Sequence, residues 1–357
     1  MHRYDLILNG LKNSFIFLMM ATVSTVCAKE DEPIMTTTLK EKALFGIGAA
    51  VKVNQLKEAD FADAFKNNFD QLTAEYEMKM NQIWTSLAGY NWVNADYLVN
   101  YAVANSMKVH GHTLLWYQSF PDWFKNASYD SLNFENNVKT YILNIVSRYN
   151  GKILSWDVAN EIFADNGSLR NDGIVYGTFK DPVAFYGRCF QYTRNADPEV
   201  KLFYNDYDLV LNSAKRNSVK EMVARFRAEG YPIDGLGEQC HTSIWTNTII
   251  RSSGFTDLAG TGLLMHISEL DVRVNQNKSD SYVFSDSEQQ KQSDTYKSVV
   301  EMFEALPQAQ KFAITTWGLT DKYTWLTGWW HPKEYPLLFD RNYIKKKAYY
   351  GFLEGLK

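Results

Sequence analysis

Eight short apolar runs, each followed by a longer amphipathic stretch, constrain this chain more than any other feature. They cover residues 43–51, 70–75, 109–116, 153–158, 201–206, 235–241, 263–270 and 312–319. The alternation predicts strands separated by helices. Between the third and fourth runs, Phe134, Val138, Tyr141, Ile142, Ile145, Val146 and Tyr149 recur at helical spacing, and Gly151 supplies a stop. Residues 289–306 put Tyr296, Val299, Val300 and Phe303 on one helical face, and residues 348–356 read as the last helix. Eight β-α units in about 310 residues predict a (β/α)8 barrel, an α/β fold that needs about 250 residues before loop insertions. The competing doubly wound sheet calls for a glycine-rich phosphate loop after its first strand. Gly46-Ile47-Gly48-Ala49-Ala50 leaves that fingerprint incomplete. No repeat, low-complexity tract or proline-rich linker divides the chain, so residues 43–357 read as a single domain.

The N-terminus reads as an export signal over residues 1–28. Arg3 and Lys12 precede the apolar run from Phe15 to Ala21, which is too short to span a membrane. Val26 and Ala28 suit cleavage after Ala28, while Cys27 offers lipid attachment as a second reading, so the expected location is outside the cytoplasm. Residues 29–42 then form a polar leader. Cys189 and Cys240 are the cysteines left after cleavage, and two in so large a chain are no disulfide framework. A net charge of −4 without a basic run argues against nucleic acid and anionic membrane as partners. Aromatic residues make up 15% of the chain, more than a core alone asks for, and surplus Trp and Tyr suit flat ligands such as sugar rings.

A barrel gathers the C-terminal ends of its strands at one face, where catalytic groups sit. Here that face receives Glu75 and Lys79 from the second unit, His112 and Trp116 from the third, and Asn160 and Glu161 from the fourth. Tyr207 follows from the fifth, Gln239 and His241 from the sixth, Glu269 and Asp271 from the seventh, and Trp317 and Trp325 from the eighth. Glu161 and Glu269, paired at strand ends among aromatics, point to glycoside hydrolysis. One carboxyl must carry a proton to expel the leaving oxygen, and the other must be ionised to attack or to activate water. Asp271 is placed to pair with His241 and turn that imidazole toward Glu269. His110 and His112, with His241 and Asp157, could be read as a metal site, but no compact ligand set accompanies them and no metal is expected.

These stretches resemble glycoside hydrolase family 10, the xylanase family. The motifs that carry the resemblance are Leu72-Thr73-Ala74-Glu75 with Met78-Lys79, Gly111-His112-Thr113-Leu114 with Trp116, and Trp156-Asp157-Val158-Ala159-Asn160-Glu161. Further on stand Leu202-Phe203-Tyr204-Asn205-Asp206-Tyr207, Gln239-Cys240-His241, Ile267-Ser268-Glu269-Leu270-Asp271, Thr316-Trp317-Gly318-Leu319-Thr320-Asp321 and Pro336-Leu337-Leu338-Phe339-Asp340. The resemblance implies a monomeric, cofactor-free, retaining endo-β-1,4-xylanase acting on xylan-type polysaccharide. It implies Glu161 as acid/base, Glu269 as nucleophile, and Asn160 on the 2-hydroxyl of the sugar under attack. It further implies that His241 bridges Glu269 and Asp271, and that Glu75, Lys79, His112 and Trp116 line the glycone side with Trp317 and Trp325 against sugar faces.

Four positions depart from the family pattern. Tyr76 stands for a usual Asn, Tyr117 for a His, Ser119 for a Gln, and Leu326 for a frequent Arg. All four are expected beside the glycone sugars, which leaves the bond-breaking pair intact and opens the question of which glycan is preferred. The alternatives are the same barrel acting on another β-linked or decorated glycan, or a carbohydrate-binding barrel with little turnover.

Overall fold

Eight parallel strands close on themselves in the computed structural model, which describes residues 37–357. The strands are β1 (Gly46–Val51), β2 (Gln71–Ala74), β3 (Lys108–Gly111), β4 (Ser155–Asn160), β5 (Lys201–Asp206), β6 (Gly235–Glu238), β7 (Leu264–Arg273) and β8 (Lys311–Thr316). Each pairs with the next, and β8 returns to β1 with Ala313 beside Gly46. A helix follows every strand: α1 (Ala59–Asn68), α2 (Val93–Ala104), α3 (Ser131–Arg148), α4 (Pro182–Ala196), α5 (Ser213–Glu229), α6 (Thr248–Ala259), α7 (Asp286–Glu304) and α8 (Lys347–Gly355). This is the expected (β/α)8 barrel, and its strands read as apolar runs because helices cover their outer face.

The outward side chains Ile47, Leu72, Val109, Trp156, Leu202, Leu236, Met265 and Ile314 are fully or almost fully buried under those helices. The barrel interior is less apolar. Phe203 and Phe312 lie 4.6 Å apart there, beside His110 and His266. The imidazoles are tied down, His110 Nδ1 to Ser155 Oγ at 2.7 Å and His266 Nε2 to Thr315 Oγ1 at 2.8 Å. Gly235 gives Phe203 its room, since a Cβ there would come within 2.1 Å of the ring.

The structure moves several expected boundaries. The third apolar run breaks after Gly111, and Leu115–Trp116 forms a separate short strand on β4. The sixth breaks at Cys240, whose φ of 60° lies in the left-handed region, before the short strand His241–Ser243. The seventh runs on to Arg273. A four-residue helix, Leu39–Lys42, occupies the end of the expected leader. Its Leu39 is fully buried, and Lys42 Nζ donates to Leu353 O, so this part of residues 29–42 belongs to the packed body. The export-signal reading of residues 1–28 lies outside the described residues. Cys189 and Cys240 are both buried and, among the described residues, unpaired.

Candidate active site

Alternation along β4 turns Ser155 and Asp157 into the barrel, and strict alternation would turn Ala159 in next. Instead the register shifts: Asp157 pairs with Phe203, but Ala159 pairs with Tyr204, so β4 carries one extra residue. Such a bulge re-aims the side chains beyond it, and Asn160 meets Asn205 inside the barrel mouth. A similar shift marks β7, where Ile267 and Leu270 pair with Ile314 and Thr316. Ser268 and Glu269, although adjacent, therefore both reach Asn205: Ser268 Oγ donates to Asn205 Oδ1 at 2.6 Å, and Asn205 Nδ2 donates to Glu269 Oε1 at 2.8 Å. Glu269 sits at a bulge within β7 rather than at its expected end.

Glu161 is the first residue beyond β4 and has φ 54°, a conformation side chains other than glycine rarely adopt. Its surroundings hold it there. Its N–H donates to Asn205 O at 2.9 Å, Arg170 Nε donates to its carbonyl at 2.9 Å, and the next N–H, of Ile162, donates to Tyr204 Oη at 3.2 Å. The carboxylate is fixed as firmly. Trp116 Nε1 donates to Oε2 at 2.9 Å, and Gln239 Nε2 donates to Oε1 at 2.9 Å.

Glu269 is 5% exposed. Burial by itself would raise its carboxyl. Donation from His241, the nearby charges of His112 and His241, and the Asn205 amide outweigh that and hold it below the usual carboxylate range. His241 Nε2 lies 3.3 Å from Glu269 Oε2, while Nδ1 meets Asp271 Oδ2 at 3.0 Å. Burial opposes the imidazolium, but Asp271 and Glu269 together push His241 up to about 10. Trp325 Nε1 also donates to Asp271 Oδ2, at 2.8 Å. The expected His241 pairing is thus present.

Asn205 joins the two carboxylates. Its amide donates both to Glu269 and, at 3.0 Å, to Asn160 Oδ1, and Asn160 Nδ2 lies 3.3 Å from Glu161 Oε1. Sequence reasoning passed over Asn205 as a site residue, although its place in Asn205-Asp206-Tyr207 at the end of β5 was a signal. Gly237 is small for its sake, since a Cβ there would come within 2.2 Å of Asn205 Oδ1.

Around the pair lies a cleft of about 670 Å³, within the usual size of small-molecule sites. Glu75, Lys79, His112, Trp116, Asn160, Tyr207, Gln239, His241, Trp317 and Trp325 all line it. Glu75 takes a 2.8 Å ion pair from Lys52, and burial raises its carboxyl. Burial lowers Lys79, whose Nζ stands 4.5 Å from the Trp116 ring. His112 Nδ1 and His110 Nε2 both lie within 3 Å of Asp157 Oδ2, at 2.8 and 2.9 Å. Burial would raise Asp157, and the two imidazoles reverse that and lower it. These two histidines therefore share one carboxylate while His241 serves Asp271, and the four groups do not converge on a common point. Sequence reasoning missed the cleft-lining Lys52, Arg170, Asp208, Arg273 and Trp329, since charges and a lone Trp outside the apolar runs resemble ordinary surface residues.

Of the four departures, Tyr76, Tyr117 and Leu326 line the cleft. Ser119 does not. It is 1% exposed, its N–H and Oγ both turned onto Trp116 O by a tight turn, which places it behind the wall. The Tyr117 ring lies under the Arg170 guanidinium at 4.2 Å.

Comparison with known proteins agrees with this geometry. The description "Glycosyl hydrolase family 10" matches residues 35–355. Endo-1,4-beta-xylanase A of Thermoanaerobacterium saccharolyticum is 33% identical over 93% of this chain, which spans only 28% of that longer protein. Beta-1,4-xylanase of Dictyoglomus thermophilum is 32% identical over 95% of this chain and 97% of its own. Among solved structures, a mutant of xylanase10C from Cellvibrio japonicus in complex with xylopentaose has a TM-score of 0.84 at 34% identity, covering 89% of this chain and 69% of that one. With the barrel, the paired glutamates and the match along almost all of the described residues, the chain belongs to glycosyl hydrolase family 10.

Proposed function

We propose that this chain hydrolyses the internal β-1,4 bonds of xylan with retention, by double displacement. Glu269 attacks the anomeric carbon as nucleophile, and Glu161 first protonates the departing oxygen and then deprotonates the incoming water. The observation that carries this reading is the difference between the two carboxylates. Glu269 is held ionised by His241 and Asn205, while Glu161 receives only neutral donors, the Trp116 indole and the Gln239 and Asn160 amides. Asn160, which the bulge turns inward onto Asn205, then bonds the 2-hydroxyl of the attacked sugar. The names of the xylanase relatives and the xylopentaose complex support xylan as the polymer. An apolar run behind Arg3 and Lys12 supports export to where such polymers lie. Release of reducing ends from xylan, mixed-linkage glucan and aryl β-glycosides tests the proposal. Rapid loss of xylan viscosity is expected, and turnover confined to glucan would sink it, as would binding without turnover.

The acid limb of kcat/KM should report Glu269, because the nucleophile must be ionised in the free enzyme. That limb is expected below the ordinary carboxylate range. His241→Asn removes the main influence lowering Glu269, so the limb should move to higher pH, which a pH–rate profile of both proteins measures. A profile that stays in place would show that His241 does not set the charge of Glu269.

A second reading, preference for a modified chain, is favoured by the two phenols Tyr76 and Tyr117 in the cleft wall. Tyr76 is 47% exposed and accepts from Gln82 Nε2 at 2.7 Å, so its hydroxyl is partly engaged. Sites that hydrogen-bond a hydroxyl discriminate strongly. Tyr76→Asn with Tyr117→His should raise kcat/KM on linear relative to branched xylo-oligosaccharides by about tenfold. An unchanged ratio in the folded double variant would leave the phenols as mere filling.

A further inference from the structure

Arg273 is the last residue of β7, four positions beyond Glu269, and its side chain lines the cleft. Strand His241–Ser243 pairs with β7 there, Ser243 lying beside Arg273. In the closed order of strands β7 lies opposite β3, and β8 alone separates it from β1, which with β2 brings Lys52, Glu75 and Lys79. The guanidinium carbon lies 4.3 Å from the centre of the Trp330 ring. Trp330 is itself anchored, its Nε1 donating to Asn275 O at 2.9 Å. Stacking on a fixed indole holds the planar fork of an arginine in one orientation.

What the fork lacks is an acceptor. Among the described residues Arg273 donates no side-chain hydrogen bond and makes no ion pair. Three charged groups stand close enough to influence it. Glu334 is buried, and its two oxygens already accept the N–H groups of Val274 and Asn275 at 3.0 and 2.8 Å. Asp208 also lines the cleft but forms no hydrogen bond with Arg273, and burial raises its carboxyl, favouring its neutral form. Lys278 is a second cation, 3.9 Å from the same Trp330 ring. A half-buried arginine with a positive neighbour and no carboxylate of its own is suited to a carboxylate from outside, which its fork can grip with two hydrogen bonds.

We propose that Arg273, held by Trp330, binds the carboxylate of an acidic sugar branch on the polysaccharide, a uronic acid attached to the main chain. The inference rests on the proposed xylan-type substrate for seating that chain. It makes the site selective for charge at a point removed from the bond-breaking pair. It also gives this wall of the cleft a ligand of defined chemistry, alongside the neutral ring contacts of Trp317 and Trp325.

Binding can be measured without turnover in the full chain carrying Glu269→Gln, by calorimetry with xylotriose and with xylotriose bearing one glucuronate branch. At 50 mM salt the acidic ligand should bind roughly tenfold tighter than the neutral one, the size of one charge-assisted pair in contact with water. The ratio should shrink at 500 mM salt, as exposed charge attraction is screened. Arg273→Gln should bring the ratio near one. Arg273→Lys, a point charge without the fork, should retain only part of it and serves as a second, milder variant. A ratio near one with Arg273 present, or one that survives Arg273→Gln, would overturn the proposal. So would equal weakening of both ligands, which would mean that Arg273 acts by propping Trp330. Failure of the native chain to release reducing ends from xylan would instead count against the hydrolytic reading, since the calorimetric ratio needs no hydrolysis.

Discussion

Glu269→Ala should lower turnover of an aryl β-xyloside by on the order of 10⁶-fold, the scale on which removing a covalent nucleophile acts. Azide should restore part of the rate, and its product should be the α-glycosyl azide. The sign follows from geometry. In the proposed mechanism the carboxylate attacks from the α face, so a small anion filling the space left by the shortened side chain should attack from that face too. The donors that now hold Glu269, Asn205 Nδ2 and His241 Nε2, would remain to position the anion. Proton NMR of the azide product reads the anomer directly, and a β-azide from this variant would exchange the roles of the two glutamates.

Glu161→Ala should produce a different signature. Loss of general acid catalysis costs about 10²–10⁴-fold for a poor leaving group such as a xylose hydroxyl. An aryl leaving group that needs no proton should form the glycosyl-enzyme at close to its original rate. The intermediate would then accumulate, and azide should release it as the β-glycosyl azide, because attack comes from the face that water normally uses. A burst of phenol followed by slow turnover would be seen in stopped flow. Equal losses for activated and unactivated substrates would show that Glu161 does not donate the proton.

The barrel was legible because strands buried on both faces leave uninterrupted apolar runs, and the helices between them keep a 3.6-residue stripe. The same property hid the breaks. After Gly111 only His112 and Thr113 interrupt the apolar run before Leu114, Leu115 and Trp116 resume it, too short a gap to mark the end of β3. The helix Leu39–Lys42 was missed for its length, although Thr38 and Glu41 carried a capping-box signal: the Thr38 N–H and hydroxyl both donate to Glu41 Oε2 at 2.8 Å. The two carboxylates could be named from their motifs. The bulges that aim them could not, because an extra residue in a strand changes register without changing its pattern of residue types. Ser119 shows the converse: its position in sequence beside Trp116 and Tyr117 suggested the cleft, and a single turn of backbone put it behind the wall. Arg273 was invisible as a site residue because β7 extends past the point where its apolar run ends.

The amide link through Asn205 divides the chain unequally. Glu161 and Asn160 come from β4, Asn205 from β5, Gln239 from β6 and Glu269 from β7, and each touches a group from another strand. These four β-α units form one inheritance block. In chimaeras with a relative, a crossover between β4 and β7 would set amides from one parent against carboxylates from the other, with every bond dependent on matched bulges. Crossovers before β4 or after β7 would exchange Lys52, Glu75, Lys79 and Trp317, the walls, and carry the two glutamates over together, with the indole contacts of Trp116 to Glu161 and Trp325 to Asp271 crossing the boundary. Recombination is therefore free to remodel which chain is gripped long before it can touch how the bond is cut.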